Sequence, residues 1–240
     1  VQTSDQLVYA LENGYLPIAK SGSAAESVWN KAKSILNKII GTNMNDFQKV
    51  KAIYDYLVLN VRYDKTALSS TYTSNWMQYK AWYAEGVFDE YRAVCDGISK
   101  AFLILCRTEN IACVRVTGTS NGSGHAWNKV YVDGAWWGVD VTHGNVSINN
   151  SEEYLTYTQF MFTDSYKLSK GCTFDTTKFA TPEKSYDVYS KIAFEGVLGF
   201  DLHVNNVTEL KNLIAYVNAY ASTTKNYDGT TDHRYFTIEF

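Results

Sequence analysis

Asp133-Gly134 lies between two runs of alternating side chains, His125–Val132 and Ala135–Thr142, and no other stretch restricts the fold as tightly. Asp-Gly suits a two-residue turn with both residues at positive φ, the shortest way to join antiparallel strands. With that turn in place, Val132 faces Ala135, Trp127 faces Asp140 and His125 faces Thr142. Side chains alternate across a strand, so His125, Trp127, Lys129 and Tyr131 share a face with Trp136, Gly138, Asp140 and Thr142. His125 and Asp140 then become diagonal neighbours that side chains can bridge. A slip of one residue would separate them. Alternation turns Asn128 to the opposite face.

An imidazole beside a carboxylate is suited to acid–base work, because the carboxylate fixes the ring tautomer and favours the imidazolium. Asp140 also stands alone inside the apolar run Trp136–Val141, where an unpaired carboxylate is costly. A nucleophile is available upstream. Cys95 opens a stretch reaching Glu109, with Ile98, Ala101, Phe102 and Leu105 at helical spacing. A helix N-terminus presents unpaired N–H groups and partial positive charge, which favour a thiolate. Gly97 is read as leaving space for a substrate backbone. Taken singly, each residue has an ordinary reading: an inert thiol, a histidine at the rim of the Thr119–Gly124 loop, a surface acid. Taken together they supply nucleophile, base and orienting acid.

The rest of the chain frames this centre. Helices are expected over Thr3–Asn13, about Ala25–Ile40, and from a capping box of Asn45 and Gln48 onward. Strands are expected over Ile111–Thr117 and Phe160–Phe162, giving an α+β fold with N-terminal helices packed on an antiparallel sheet. Residues 66–92 form an aromatic and polar stretch with Trp76, Tyr79, Trp82 and Tyr83, long enough to suggest function. Beyond about Glu195 the pattern becomes strand, helix, strand: Val197–Val204, Thr208–Tyr220 and Tyr235–Phe240. The expected organisation is an N-terminal segment 1–24, such as a trimmed module would leave, a core 25–195, and a small β-α-β element 196–240. The chain opens on Val1 without a start methionine, so the lack of a visible targeting segment says nothing.

A net charge of −3 gives none of the basic footprint that nucleic acids or anionic membranes require. No apolar run approaches the about 20 residues of a transmembrane helix. The four cysteines Cys95, Cys106, Cys113 and Cys172 lack metal-ligand spacing and are too few for a disulfide scaffold. Cys106 and Cys113 read as small buried hydrophobes. Nineteen tyrosines, two prolines and little net charge fit an exported bacterial protein, extracellular or at the cell surface.

Three blocks carry a resemblance: Arg92–Phe102 around Cys95, Gly124–Val130 around His125, and Asp133–Thr142 around Asp140. In this order, after the lead-in Lys49–Leu57 and Tyr63-Asp64, they resemble the bacterial transglutaminase-like superfamily. The resemblance spans about Ala25 to Asp164. It implies a papain-like core, with Cys95 on a helix packed against an antiparallel sheet that supplies His125 and Asp140, as nucleophile, base and orienting acid. It implies acyl transfer on a protein or peptide amide, including cell-wall or surface proteins, with no metal or organic cofactor. The backbone N–H of Cys95 is one expected oxyanion donor; Trp82, Tyr83 and Trp127 are candidates for lining the oxyanion or substrate region. His143-Gly144 departs from the Trp-Gly common in the family and bears on specificity rather than on the three catalytic positions. Two rivals stand beside this reading: a binding or adhesion module that keeps the fold, and a papain-like cysteine peptidase.

Overall fold

The computed structural model describes residues 1–69, 79–148 and 152–186, together with Val188, Val207, Thr208 and Lys211. Its described residues fall into two compact units, Val1–Gly144 with Thr158–Ser185, and Asn145–Tyr157 with Tyr186–Phe240.

The first unit begins with three helices: α1 (Ser4–Glu12), α2 (Ala24–Ile39) and α3 (Asp46–Asn60). Thr3 and Gln6 form a reciprocal capping box at α1, and Asn45 and Gln48 do the same at α3. Each box satisfies two N–H groups that the helix cannot bond internally. Strand β1 (Arg62–Tyr63) follows α3 and pairs in parallel with β2 (Arg92–Ala93). Between them stand short 3₁₀ turns at Lys65–Leu68 and Lys80–Trp82 and the helix α4 (Ala84–Glu90). The aromatic stretch thus contains a helix at its far end, while Trp76 lies outside the described residues.

Helix α5 (Cys95–Thr108) is the hub, with α1, α2, α3 and α4 packed against it on one side and the sheet on the other. From Ala101 to Cys106 every residue is fully buried, so the apolar run surrounds the helix instead of forming a single stripe. Residues 1–24 belong to this unit: α1 packs on α5, and its Leu7 is fully buried. The expected boundary at residue 24 therefore has no counterpart in the packing.

The sheet is five-stranded and antiparallel, in the order β8-β5-β4-β3-β9. Its strands are β3 (Cys113–Ser120), β4 (Ser123–Val132), β5 (Ala135–Val139), β8 (Phe160–Phe162) and β9 (Cys172–Phe174), with helix α6 (Asp164–Ser169) between the last two. The architecture is α+β. Asp133 at φ 52° and Gly134 at φ 81° make the expected turn, and Val132 pairs with Ala135, Tyr131 with Trp136 and Asn128 with Val139. Two expected pairings fail here. β5 stops at Val139, and Val141–His143 is a 3₁₀ turn, so Asp140 has no ladder partner in Trp127 and Thr142 none in His125.

In the second unit, β6 (Asn145–Ile148) and β7 (Glu152–Leu155) form an antiparallel pair. Of the helix expected from Thr208, only Thr208 and Lys211 are described, and both are helical; the strands expected at 197–204 and 235–240 lie outside the described residues. Among the described residues, no helix is long and apolar enough to cross a membrane.

Candidate active site

Cys95 is the first residue of α5 and is 7% exposed. The residue before it, Val94, has no polar side chain and makes no side-chain capping hydrogen bond to the helix. Asp96 adds a negative charge to this end, but it is engaged elsewhere: Arg115 and Lys100 both bind its carboxylate, Lys100 at 2.8 Å. Lys100 also donates to the carbonyl oxygen of Trp82 at 3.0 Å and lies over the Tyr83 ring, tying the loop before α4 to the head of α5. Trp82 and Tyr83, both half-buried, therefore stand beside the first turn of this helix.

Gly97 corrects a sequence reading. A Cβ there would stand 2.5 Å from the carbonyl oxygen of Ala81 and 2.7 Å from that of Tyr83. The missing side chain makes room for the protein's own loop, not for a substrate.

His125 and Asp140 meet as the hairpin register requires. The Nε2–H of His125 donates to Asp140 Oδ2 at 2.7 Å, because a carboxylate offers only lone pairs. This leaves Nδ1 as the ring nitrogen for the other hydrogen-bonding neighbour of the imidazole, the thiol of Cys95. Burial opposes a charged imidazolium, but the hydrogen bonds to Asp140 and Cys95 outweigh it and lift the His125 pKa to about 9. Trp127 stacks against His125 with ring centroids 5.5 Å apart and is 1% exposed. It supports the ring from inside the protein and is too deeply buried to line a substrate surface.

Asp140 is completely buried, and three donors converge on its Oδ2. Besides His125, these are Nδ1 of His143 at 2.8 Å and Nζ of Lys167 at 2.6 Å. Burial alone would raise the carboxyl pKa; the hydrogen bonds to His125 and His143 and the charges of His125 and Lys167 hold it well below the usual carboxylate range. Oδ1 is buried with no hydrogen-bond partner among the described residues.

The ligand atoms of His125, Asp140 and His143 lie within 4.8 Å of one another, a spacing also found around metal ions. Here the Lys167 ammonium occupies the same carboxylate oxygen and would repel a dication, so the group is a hydrogen-bonded cluster rather than a metal centre.

Three contributors were not legible as such in the sequence. Tyr63 at the end of β1 accepts a hydrogen bond from the backbone N–H of Cys95, and its hydroxyl also meets the thiol. Burial, then the charge of Cys95, pushes the Tyr63 pKa well above the usual phenol range. Its hydroxyl thus covers the N–H expected to serve as an oxyanion donor. His143, noted as a departure from a family pattern, touches the acid itself. Lys167 lies 27 residues beyond Asp140, with no motif to flag it. Of the remaining cysteines, Cys106, Cys113 and Cys172 are buried and free, and burial followed by a hydrogen bond to Cys113 raises the Cys106 pKa well above that of an ordinary thiol.

Residues 33–141 match the family model of the Transglutaminase-like superfamily. The chain is 28% identical over 148 residues to Kyphoscoliosis peptidase of Mus musculus, and this covers 54% of the chain and 22% of that protein. Against Kyphoscoliosis peptidase of Homo sapiens it is 27% identical over 149 residues, covering 55% of the chain and 22% of the relative. The chain thus spans about a fifth of the length of these curated relatives. A solved structure described as a TGase superposes with a TM-score of 0.45 and 19% identity, covering 67% of this chain and 43% of the other.

Proposed function

We propose, from the premise that residues 33–141 belong to the transglutaminase-like superfamily, that this chain catalyses cysteine-dependent acyl transfer on a protein or peptide amide. The observation that carries the reading is the 2.7 Å bond from His125 to buried Asp140, on an imidazole whose other neighbour is the thiol at the head of α5.

In this reading the sulfur of Cys95, having given its proton to His125, attacks the amide carbonyl. The tetrahedral intermediate collapses as His125 returns the proton to the departing nitrogen, the C–N bond breaks, and an acyl thioester remains on Cys95. His125 then takes a proton from an incoming amine or water, whose attack releases the acyl group and restores the thiol. An amine acceptor gives a cross-link; water gives hydrolysis. Asp140 keeps the ring oriented and stabilises the imidazolium throughout. The Tyr63 hydroxyl must yield the Cys95 N–H if that group is to bind the developing oxyanion.

Hydrolysis is favoured by one observation, the word peptidase in the names of the two relatives. Incubation with a glutamine-containing peptide and a fluorescent amine separates the outcomes: incorporation marks transfer, cleavage or deamidation without incorporation marks hydrolysis. A thiol-reactive probe near neutral pH tests catalysis itself. Fast labelling of Cys95 that is lost in His125→Ala supports an enzyme. Slow, unselective labelling of all four cysteines would instead favour a binding module that retains the fold.

A further inference from the structure

We propose that Lys167 is a positioning residue of this site: its ammonium, held inside the protein, orients Asp140 and limits how tightly His125 keeps its proton. The inference rests on the reading of Cys95, His125 and Asp140 as a working triad. Lys167 is 1% exposed, and its Nζ lies 2.6 Å from Asp140 Oδ2. Its second polar partner is Oε1 of Gln159 at 2.9 Å. Gln159 also accepts the backbone N–H of Asp140 at 2.9 Å through its carbonyl oxygen. One residue therefore grips both the acid's backbone and the cation on its side chain. The Trp127 and Phe162 rings enclose the ammonium, with centroids 5.2 and 4.9 Å away.

A buried lysine is costly unless a charge answers it, and a coupling this close acts on the base as well. Lys167 and His125 donate to the same oxygen, so each cation repels the other across one carboxylate. Among the described residues, the charged and titratable groups around this centre include His143 and Lys167 on Asp140, Tyr63 near both Cys95 and Asp140, Cys95 and the His143 ring beside His125, and Tyr166, which reaches Lys167 through Gln159. Removing the ammonium leaves Asp140 as a stronger acceptor and removes a repulsion from the imidazolium. His125 should then hold its proton to higher pH.

The test is the pH dependence of Cys95 alkylation by iodoacetamide in the full chain, for wild type, Lys167→Met, Lys167→Gln and the charge-preserving Lys167→Arg, each first shown to be folded by circular dichroism. Wild type should show an upper step near pH 9, where His125 gives up its proton. In the two neutral variants that step should rise by at least about half a unit, a threefold change in proton affinity. In Lys167→Arg it should stay with wild type. A merely structural tie predicts slower alkylation with the step unmoved or lowered in the folded neutral variants, and that result overturns the proposal; so does an arginine variant that moves as far as methionine. Should the neutral variants fail to fold, Lys167→Arg decides alone: a step that stays with wild type supports the proposal, and one displaced by about half a unit or more overturns it. A wild type whose Cys95 alkylation climbs in a single step at the pH of an ordinary thiol, with no fast reaction at lower pH, would sink the triad reading itself and is recognisable before any variant is made.

Discussion

Nδ1 of His143 lies 2.8 Å from Oδ2 of Asp140, three residues earlier in the chain. The 3₁₀ turn at Val141–His143 brings the second imidazole back onto the acid, with its ring centroid 4.9 Å from that of His125. Because Asp140 keeps two other donors, His143→Ala should fold normally. The hydrogen bond is charge-assisted and half-exposed, so its loss should lower kcat/KM about three- to tenfold. Steady-state kinetics on the amide substrate decides this, and a variant as inactive as Cys95→Ala would contradict an auxiliary role.

Asp140→Ala should cost stability as well as turnover. It strands the Lys167 ammonium in the interior, and breaking a buried pair from one side costs about 3–5 kcal/mol. The double variant Asp140→Ala/Lys167→Met should regain at least about 1 kcal/mol in urea unfolding, since no charge is then left alone. If the double variant is less stable than Asp140→Ala, the two groups are not coupled as described.

Stability should depend on pH in two directions. The His125 pKa rises from 6.5 to about 9 on folding, so its contribution is full below pH 6.5 and is lost as pH climbs through about 9. That of Asp140 is depressed from 3.8, so its contribution is present above that value and fades as pH falls below it. The pair stabilises most between these limits. Urea midpoints at pH 5.5, 7.5 and 9.5 should fall across the series, and His125→Phe should flatten the decline. Equal slopes for both proteins would reject the assignment.

Gly97→Ala should disturb the site without touching its chemistry. The added methyl would meet the carbonyl oxygens of Ala81 and Tyr83 at 2.5 and 2.7 Å, and backbone cannot swing aside as a side chain can. Overpacking of this kind costs about 1–3 kcal/mol, and the displaced loop should also depress turnover. Thermal denaturation with parallel activity measurements checks both; an unchanged melting temperature would mean the loop yields freely.

What was legible in the sequence was local. The Asp133-Gly134 turn and strict alternation set a register in which His125 and Asp140 meet, and the capping box of Asn45 and Gln48 marks a helix start because its side chains bond within three residues. The contacts that were missed are long-range. Tyr63 reaches Cys95 through two strands of two residues each, too short for periodicity to register. Lys167 arrives from a six-residue helix with no apolar stripe. Gly97 was misread because a glycine signals close approach without saying what approaches. The end of β5 was overextended because the apolar run continues into the 3₁₀ turn.

The hairpin closes its histidine–aspartate contact over a span of 15 positions, whereas the thiol joins them only once α5 has docked beneath the sheet. Short-span contacts are entropically cheap and survive partial opening better than contacts between distant segments. A chain that frays or emerges unfinished would therefore carry its acid–base couple without an armed sulfur. On the proposed reading, reactivity towards amides is in this way reserved for molecules that have completed folding.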